Sequence, residues 1–202
     1  MRDLLPRIAV PDDGPVDAGS LFINDGRHLW VEIGFGAGEH LAAQAAAHPD
    51  IGFIGAEPFV NGVASLLAQI DAAHLDNIRV FAEDARLLLP RLPDGSVDRV
   101  YLLYSDPWPK KRHWDRRFVQ TETLGQLARV IRPGGEFRFA TDHMDHARWA
   151  LWRLIRHPAF EWTARGPADW RDRPKDGFPT RYEEKQLAGS KPVYLTFRRR
   201  AD

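Results

Sequence analysis

The sequence predicts an α/β fold: a doubly wound, mostly parallel seven-stranded sheet of Rossmann-like type. Three observations predict it. Short apolar runs alternate with helix-length amphipathic segments from residue 29 onward, the first run ends in a glycine cluster, and 44% of the 202 residues are hydrophobic, enough for one sizeable core. The runs fall at 29–33, 51–56, 78–81, 97–103, 137–140, 160–163 and 193–197. Between them stand "EHLAAQAAAHP", "VNGVASLLAQIDAAH", "DARLLLPRL", "QTETLGQLARVIRPGG" and "HMDHARWALWRLIRHP", whose apolar residues recur three and four apart and read as crossover helices, several stopped by Pro or Gly. Near-continuous apolar strands joined by helices imply a sheet covered on both faces. The whole of 1–202 reads as a single domain, with 1–28 as an N-terminal extension, 105–117 as a basic loop and 165–192 as an insertion before the last strand. Within that insertion "RYEEKQLAGSKPVYLTF" reads as a short helix, a Gly-containing turn and the closing strand.

Composition excludes several functions. Lys and Arg number 28, as do Asp and Glu, so nucleic-acid or lipid binding must come from a local patch and not from a global field. Absence of Cys removes disulfides, thiolate metal sites and thiol nucleophiles and suits a reducing compartment. No apolar run approaches the roughly 20 residues of a membrane span, and no basic-then-apolar leader opens the chain. The expectation is a cytoplasmic protein without a membrane partner, monomeric or homodimeric. His113 and His143 have no companions at metal-ligand spacing, so no metal is expected. Trp149 and Trp152, three apart on a helix, read as core.

Ligands of such sheets bind outside the carboxyl ends of the strands. There the first run delivers "VEIGFGAGEH", with Gly34, Gly36 and Gly38 before a helix and Glu32 ahead of them. The spacing is not that of a dinucleotide fold, and a carboxylate favours a sulfonium or ammonium neighbour over a phosphate. The second run ends at Glu57, suited to accept from ribose hydroxyls, and the third at Asp84, within reach of an adenine amino group. Singly each signal is weak, since a glycine can serve a turn and an acid a helix cap. In order along three strand ends they predict S-adenosylmethionine.

The fourth run leads into "YSDPWPKKRHWDRRF", which places Asp106 at the same edge and, over 110–117, five Lys or Arg against one Asp. A charge run is more often a solvated face. Beside Trp108, Pro107 and Pro109 at the ligand end it suits a polynucleotide, with rings to stack bases and cations to hold phosphates.

With these residues in view, the sequence resembles the bacterial tRNA (guanine-N7-)-methyltransferases. The resemblance rests on "EIGFGAGEHL", Glu57, "EDA" at Asp84, "DPWPKKRHWDRRF", "RPGGEFRFATDH" and "TRYEEKQLAGSKPVYLTFRR", almost the whole chain from Leu29. It departs from the pattern common in that family at Ser105 and at Asp115, where a basic residue is usual. The resemblance implies a class I S-adenosylmethionine-dependent methyltransferase acting at N7 of guanosine 46 in the tRNA variable loop. It implies that Glu32, Glu57, Asp84 and Asp106 contact the methyl donor. It likewise implies that Lys110, Asp142 and the Thr180, Arg181, Tyr182, Glu183 cluster contact the tRNA. Guanine N7 carries a lone pair and no proton, so positioning and charge stabilisation carry the catalysis, and Asp106 is the expected catalytic residue. Asp142 or Glu183 could accept from guanine N1–H and its amine. Rival readings are a nucleotide-dependent oxidoreductase, which lacks its glycine spacing here, a small-molecule or protein-amine methyltransferase, against which the cationic loop speaks, and a non-catalytic RNA-binding module.

Overall fold

The computed structural model describes residues 4–11, 13–22, 28–184 and 191–201. Strands β1 (His28–Ile33), β2 (Ile51–Ala56), β3 (Ile78–Phe81), β4 (Val97–Leu103), β5 (Ile131–Thr141), β6 (Phe160–Trp162) and β7 (Val193–Arg199) form one sheet in the order β3-β2-β1-β4-β5-β7-β6. β1 to β5 are parallel, and β7 runs antiparallel to β5 and β6. Short helices α1 (Leu5–Ile8) and α2 (Ala18–Leu21) precede the sheet. The crossovers carry α3 (Glu39–Ala47), α4 (Val60–Ala73), α5 (Ala85–Leu88), α6 (Thr121–Val130) and α7 (Met144–Arg156), and α8 (Ala168–Arg171) and α9 (Arg181–Glu184) stand between β6 and β7. The strand order reverses between β1 and β4, and that switch point fixes where a ligand cleft opens.

The period of two in β1 decides what its acid faces. Leu29, Val31 and Ile33 join one core cluster, whereas Trp30 joins the other with Leu41, Phe53, Leu66 and Tyr101. Alternation therefore turns Glu32 toward the face covered by α3 and α4. The sequence placed the fifth strand at 137–140, yet β5 begins at Ile131, directly after α6, and Ile131 already pairs with Val97. The "RPGG" segment, read as a helix stop, is a strand segment whose register shifts between Val97 and Arg99, with Gly134 at φ 81°. The described part of 1–28 packs on the sheet: Ala9 bridges Val80 in parallel, and Val10, Val16, Leu21 and Phe22 are buried.

Beyond β4 the chain turns sharply. Tyr104 and Trp108 both adopt positive φ, 51° and 43°, a conformation that costs a bulky residue about 1 kcal/mol or more. What holds the turn is Arg117, 1% exposed, which donates to the carbonyls of Pro107 (2.8 Å) and Trp108 (3.3 Å). Its guanidinium lies 4.9 Å from the ring centroids of both Trp114 and Trp149, and Arg153 covers Trp149 as well. Burial lowers the Arg117 pKa. So one of the five cations in 110–117 faces inward, as the pillar of the loop. Trp149 is partly buried as expected and donates to the Val119 carbonyl at 2.8 Å. Trp152 departs from the core reading: it is 52% exposed, with Arg156 over its ring, because the helix face three residues on has turned to solvent.

Next to this pillar His146 is fully buried on α7, its ring edge-on to Phe139, and neither ring nitrogen has a hydrogen-bond partner among the described residues. Burial, then the charges of Arg117 and His143, push its pKa down to about 4 from 6.5. The unfolded chain therefore binds a proton at His146 that the folded chain refuses. That stabilisation is complete above pH 6.5 and is lost as pH falls toward 4, roughly 3 kcal/mol over the window. His146→Phe should reduce the pH dependence of the denaturant midpoint between those pH values, leaving the contributions of His157, whose pKa burial also lowers, and, toward pH 4, of the carboxyls of Glu183 and Asp176; an unchanged slope would assign the proton elsewhere. Arg117→Met should cost about 1–3 kcal/mol and speed trypsin cleavage within 110–116. A cleavage rate equal to that of the parent chain would mean that Arg117 does not hold the loop.

Candidate active site

A groove crosses the carboxyl edge of the sheet in two adjoining lobes. The larger, about 760 Å³, is lined by Gly34, Gly36, Glu57, Asp84, Asp106 and Phe118, among others. The smaller, about 300 Å³, takes Glu32, His40, Thr180 and Tyr182. Gly34, Gly36 and Tyr104 line both, so the acids at the ends of β1, β2, β3 and β4 surround one continuous site. Gly34 and Gly36 have φ of 68° and 58°, and a Cβ on either would meet no protein atom within 4 Å. Both therefore present bare backbone to the groove. Gly38, also at positive φ, begins α3, and a Cβ there would strike Leu66.

Each acid is held by a different local device. Glu57, 8% exposed, accepts from the amides of Gly36 and Phe59, both at 2.9 Å, and so ties the glycine loop to the end of β2. Asp84 caps α5, accepting from the amide and the guanidinium of Arg86 at 2.8 and 2.9 Å. Arg86 in turn donates to the Arg116 carbonyl and covers Phe118, which joins this corner to the basic loop. Asp106 is exposed at the groove wall, bracketed by the two positive-φ residues. Glu32 is 3% exposed, and its Oε2 lies 2.7 Å from His40 Nδ1. His40 is a site residue that the sequence reading missed. The only signal was indirect: a charge turned into the core by strand alternation needs a partner, and His40 opens the next helix.

The strap before β7 folds back over the smaller lobe. Asp176 binds Arg99 and Arg138, at 2.8 Å to the latter; burial alone would raise its pKa, but these two guanidiniums hold it at about 2. Thr180 and Glu183 form a reciprocal cap of α9: Glu183 accepts from the Thr180 amide and hydroxyl, and the Glu183 amide donates to the Thr180 hydroxyl. Glu183 also accepts from Tyr194 (2.6 Å) and Arg173 (3.0 Å). Against burial, these donors lower its pKa. Its lone pairs are thus spent on anchoring the strap. Tyr182, which lines the smaller lobe, packs on Tyr104 at 5.2 Å and donates to Asp142 at 3.4 Å; Asp142 itself lines neither lobe. Lys110 is exposed at the start of the 3-10 turn 111–116, outside both lobes. The side chain of Arg181 and residues 185–190 lie outside the described residues. Among the described residues no group of three His, Cys, Asp or Glu is placed to hold a metal, and no helix is long and apolar enough to cross a membrane.

Residues 26–196 match a family profile described as "Putative methyltransferase". A tRNA (guanine-N(7)-)-methyltransferase of Rhodospirillum rubrum is 52% identical over 98% of this chain and 80% of its own length. One of Ruegeria pomeroyi is 55% identical over 94% and 79%. Among solved structures, an rRNA methylase of Streptococcus thermophilus superposes with a TM-score of 0.59 at 11% identity, covering 88% of this chain and 89% of that one, a likeness of fold. Identity at this level over nearly the full length means that the chain belongs to the tRNA (guanine-N(7)-)-methyltransferase family.

Proposed function

We propose that this chain transfers the methyl group of S-adenosylmethionine to N7 of a variable-loop guanosine in tRNA, in the cytoplasm. The observation that carries the reading is the convergence of Glu32, Glu57, Asp84 and Asp106 on one groove beside an exposed basic loop. The residues present fit the donor. Four carboxylates suit a cation and would repel a phosphate, the larger lobe has the size of a nucleoside site, and the bare backbone of Gly34 and Gly36 admits close approach. When bound, S-adenosylmethionine supplies an electrophilic methyl on a sulfonium.

The chain's own residues then divide the work. Glu57 retains one lone pair on each oxygen beyond its two amide contacts and accepts from ribose hydroxyls. Asp84 likewise accepts from the adenine amine, and Glu32 faces the positive charge of the donor. N7 needs no base, so the gain comes from alignment of nucleophile and methyl group and from the Asp106 carboxylate beside the purine, which stabilises the positive charge that develops there. Of the acids suited to select guanine, Glu183 is engaged by Thr180, Tyr194 and Arg173, and Asp142 is held by Tyr182 of the smaller lobe. Lys110 and its exposed neighbours hold the phosphates, with Thr180 and Tyr182 lining the approach.

Incubation with methyl-labelled S-adenosylmethionine and unmodified tRNA, followed by chain cleavage at N7-methylguanosine, should place the label in the variable loop. Label in another base would overturn the reading. Asp106→Asn should lower kcat by roughly 10²-fold with little change in donor affinity measured by calorimetry, and unaltered turnover would remove Asp106 from that role.

A further inference from the structure

Behind Glu32 runs a chain of buried polar groups that the transfer reaction itself does not use. Glu32, His40 and Gln44 are 3%, 4% and 0% exposed. His40 Nδ1 lies 2.7 Å from Glu32 Oε2, and Gln44 Nε2 lies 3.3 Å from His40 Nε2 and 2.9 Å from the Asp176 carbonyl oxygen of the strap. The protons in this chain are set by elimination. A carbonyl oxygen only accepts, so the end of Gln44 that meets Asp176 must be its amide nitrogen. The same nitrogen faces His40 Nε2, which must therefore be the bare acceptor. An ionised Glu32 only accepts, so Nδ1 carries the proton. Such a ring is neutral. Its surroundings agree: Tyr101 meets it edge-on at 4.9 Å, and Arg138, held with Arg99 by the Asp176 carboxylate, lines a cavity with His40 and would oppose a second positive charge there. Gln44 Oε1 is buried with no partner among the described residues, a cost accepted for this orientation.

We propose that His40 is a positioning residue for Glu32, fixed as the neutral Nδ1–H tautomer by Gln44 and the Asp176 carbonyl, so that Glu32 is oriented without losing its charge and presents it to a cation of the methyl donor. An imidazolium at the same place would cancel that charge, and an apolar residue would leave the carboxylate without the buried donor it has in His40. The strap thereby sets the electrostatics of the donor lobe through a backbone carbonyl. The inference rests on the reading of Glu32 as the acid facing the donor's positive charge, which resides on the sulfonium and on the amino-acid ammonium.

Nitrogen NMR of the histidine rings, with the His40 signal assigned by its loss in His40→Asn, should show at neutral pH a protonated Nδ1 and a bare Nε2. An Nε2–H or doubly protonated ring would overturn the proposal. Calorimetry should find that His40→Leu weakens S-adenosylmethionine roughly 10- to 100-fold while 5′-methylthioadenosine, which lacks both cations, binds as before. His40→Asn, whose amide can still donate to Glu32, should restore most of the loss. S-adenosylhomocysteine falling in parallel would identify the ammonium as the group recognised, and its indifference the sulfonium. Equal weakening of all three ligands would reduce His40 to a structural role. If His40→Leu does not fold, Gln44→Leu serves: Glu32 still accepts from Nδ1, but Nε2, without its donor, should gain a proton, and an Nε2 that stays bare would overturn the proposal. Glu32→Gln separates the two levels. Unchanged donor affinity there would sink the reading of Glu32 itself, whereas a loss in Glu32→Gln with none in His40→Leu would sink only the role of His40.

Discussion

A carboxylate buried at the end of the central strand is the constraint on which this edge of the sheet depends. Strand alternation leaves Glu32 no solvent-facing choice, since Trp30 on the same side packs into the core with Tyr101 and Phe53. Removing a charge from water costs several kcal/mol, and one hydrogen bond to a charged group returns about 1.5–3 kcal/mol. Among the described residues the contact to His40 is the one hydrogen bond that Glu32 accepts, and it leaves a deficit. Under the proposed function the methyl donor supplies the missing positive charge, so the apoprotein carries an electrostatic debt that a cation discharges and a phosphate deepens.

The same economy governs the basic loop. Under the proposed function the loop must keep its cations exposed to meet RNA, yet it must also hold Asp106 still at the groove wall. Burying Arg117 separates the two demands. Its guanidinium donates to the carbonyls of Pro107 and Trp108 and lies against the indoles of both Trp114 and Trp149, which themselves meet edge to face, while Lys110, Lys111, Arg112 and Arg116 stay exposed. A planar guanidinium is suited to this position in a way that an ammonium is not, because it stacks and donates along fixed directions at once.

Much of this was legible in the sequence, and what escaped did so for identifiable reasons. Runs at 51–56, 78–81 and 97–103 became strands with those bounds, because a parallel strand covered on both faces writes itself as continuous apolar residues. Glu57 and Asp84 announced themselves as acids at strand ends, where polar side chains have a reason to stand. The early start of β5 escaped because "RPGG" has helix-stop chemistry and its pairing involves a register shift, a tertiary matter. The inward uses of Arg117, counted in the sequence with the basic loop, and of Glu183, named there as a tRNA contact, escaped in a different way. Composition counts a charged residue without saying whether it points to solvent, and each is used inward, one under the loop and the other under the strap.

The strap and the loop also show why the two lobes behave as one site. Tyr104, at the end of β4, packs on Tyr182 of α9 and bonds Tyr194 of β7, and burial, then the Tyr194 hydroxyl and the charge of Glu183, raise its pKa and keep it neutral. On its other side Tyr104 begins the turn to Asp106. Glu183 clamps Tyr194 and Thr180 in the same cluster, and Asp176 carries the strap on to Gln44 and His40. A displacement of the strap by an incoming substrate would thus be felt at Tyr104 and at Glu32 together. Contacts of this kind, between packed groups with few alternative arrangements, couple sites through geometry and need no long-range field.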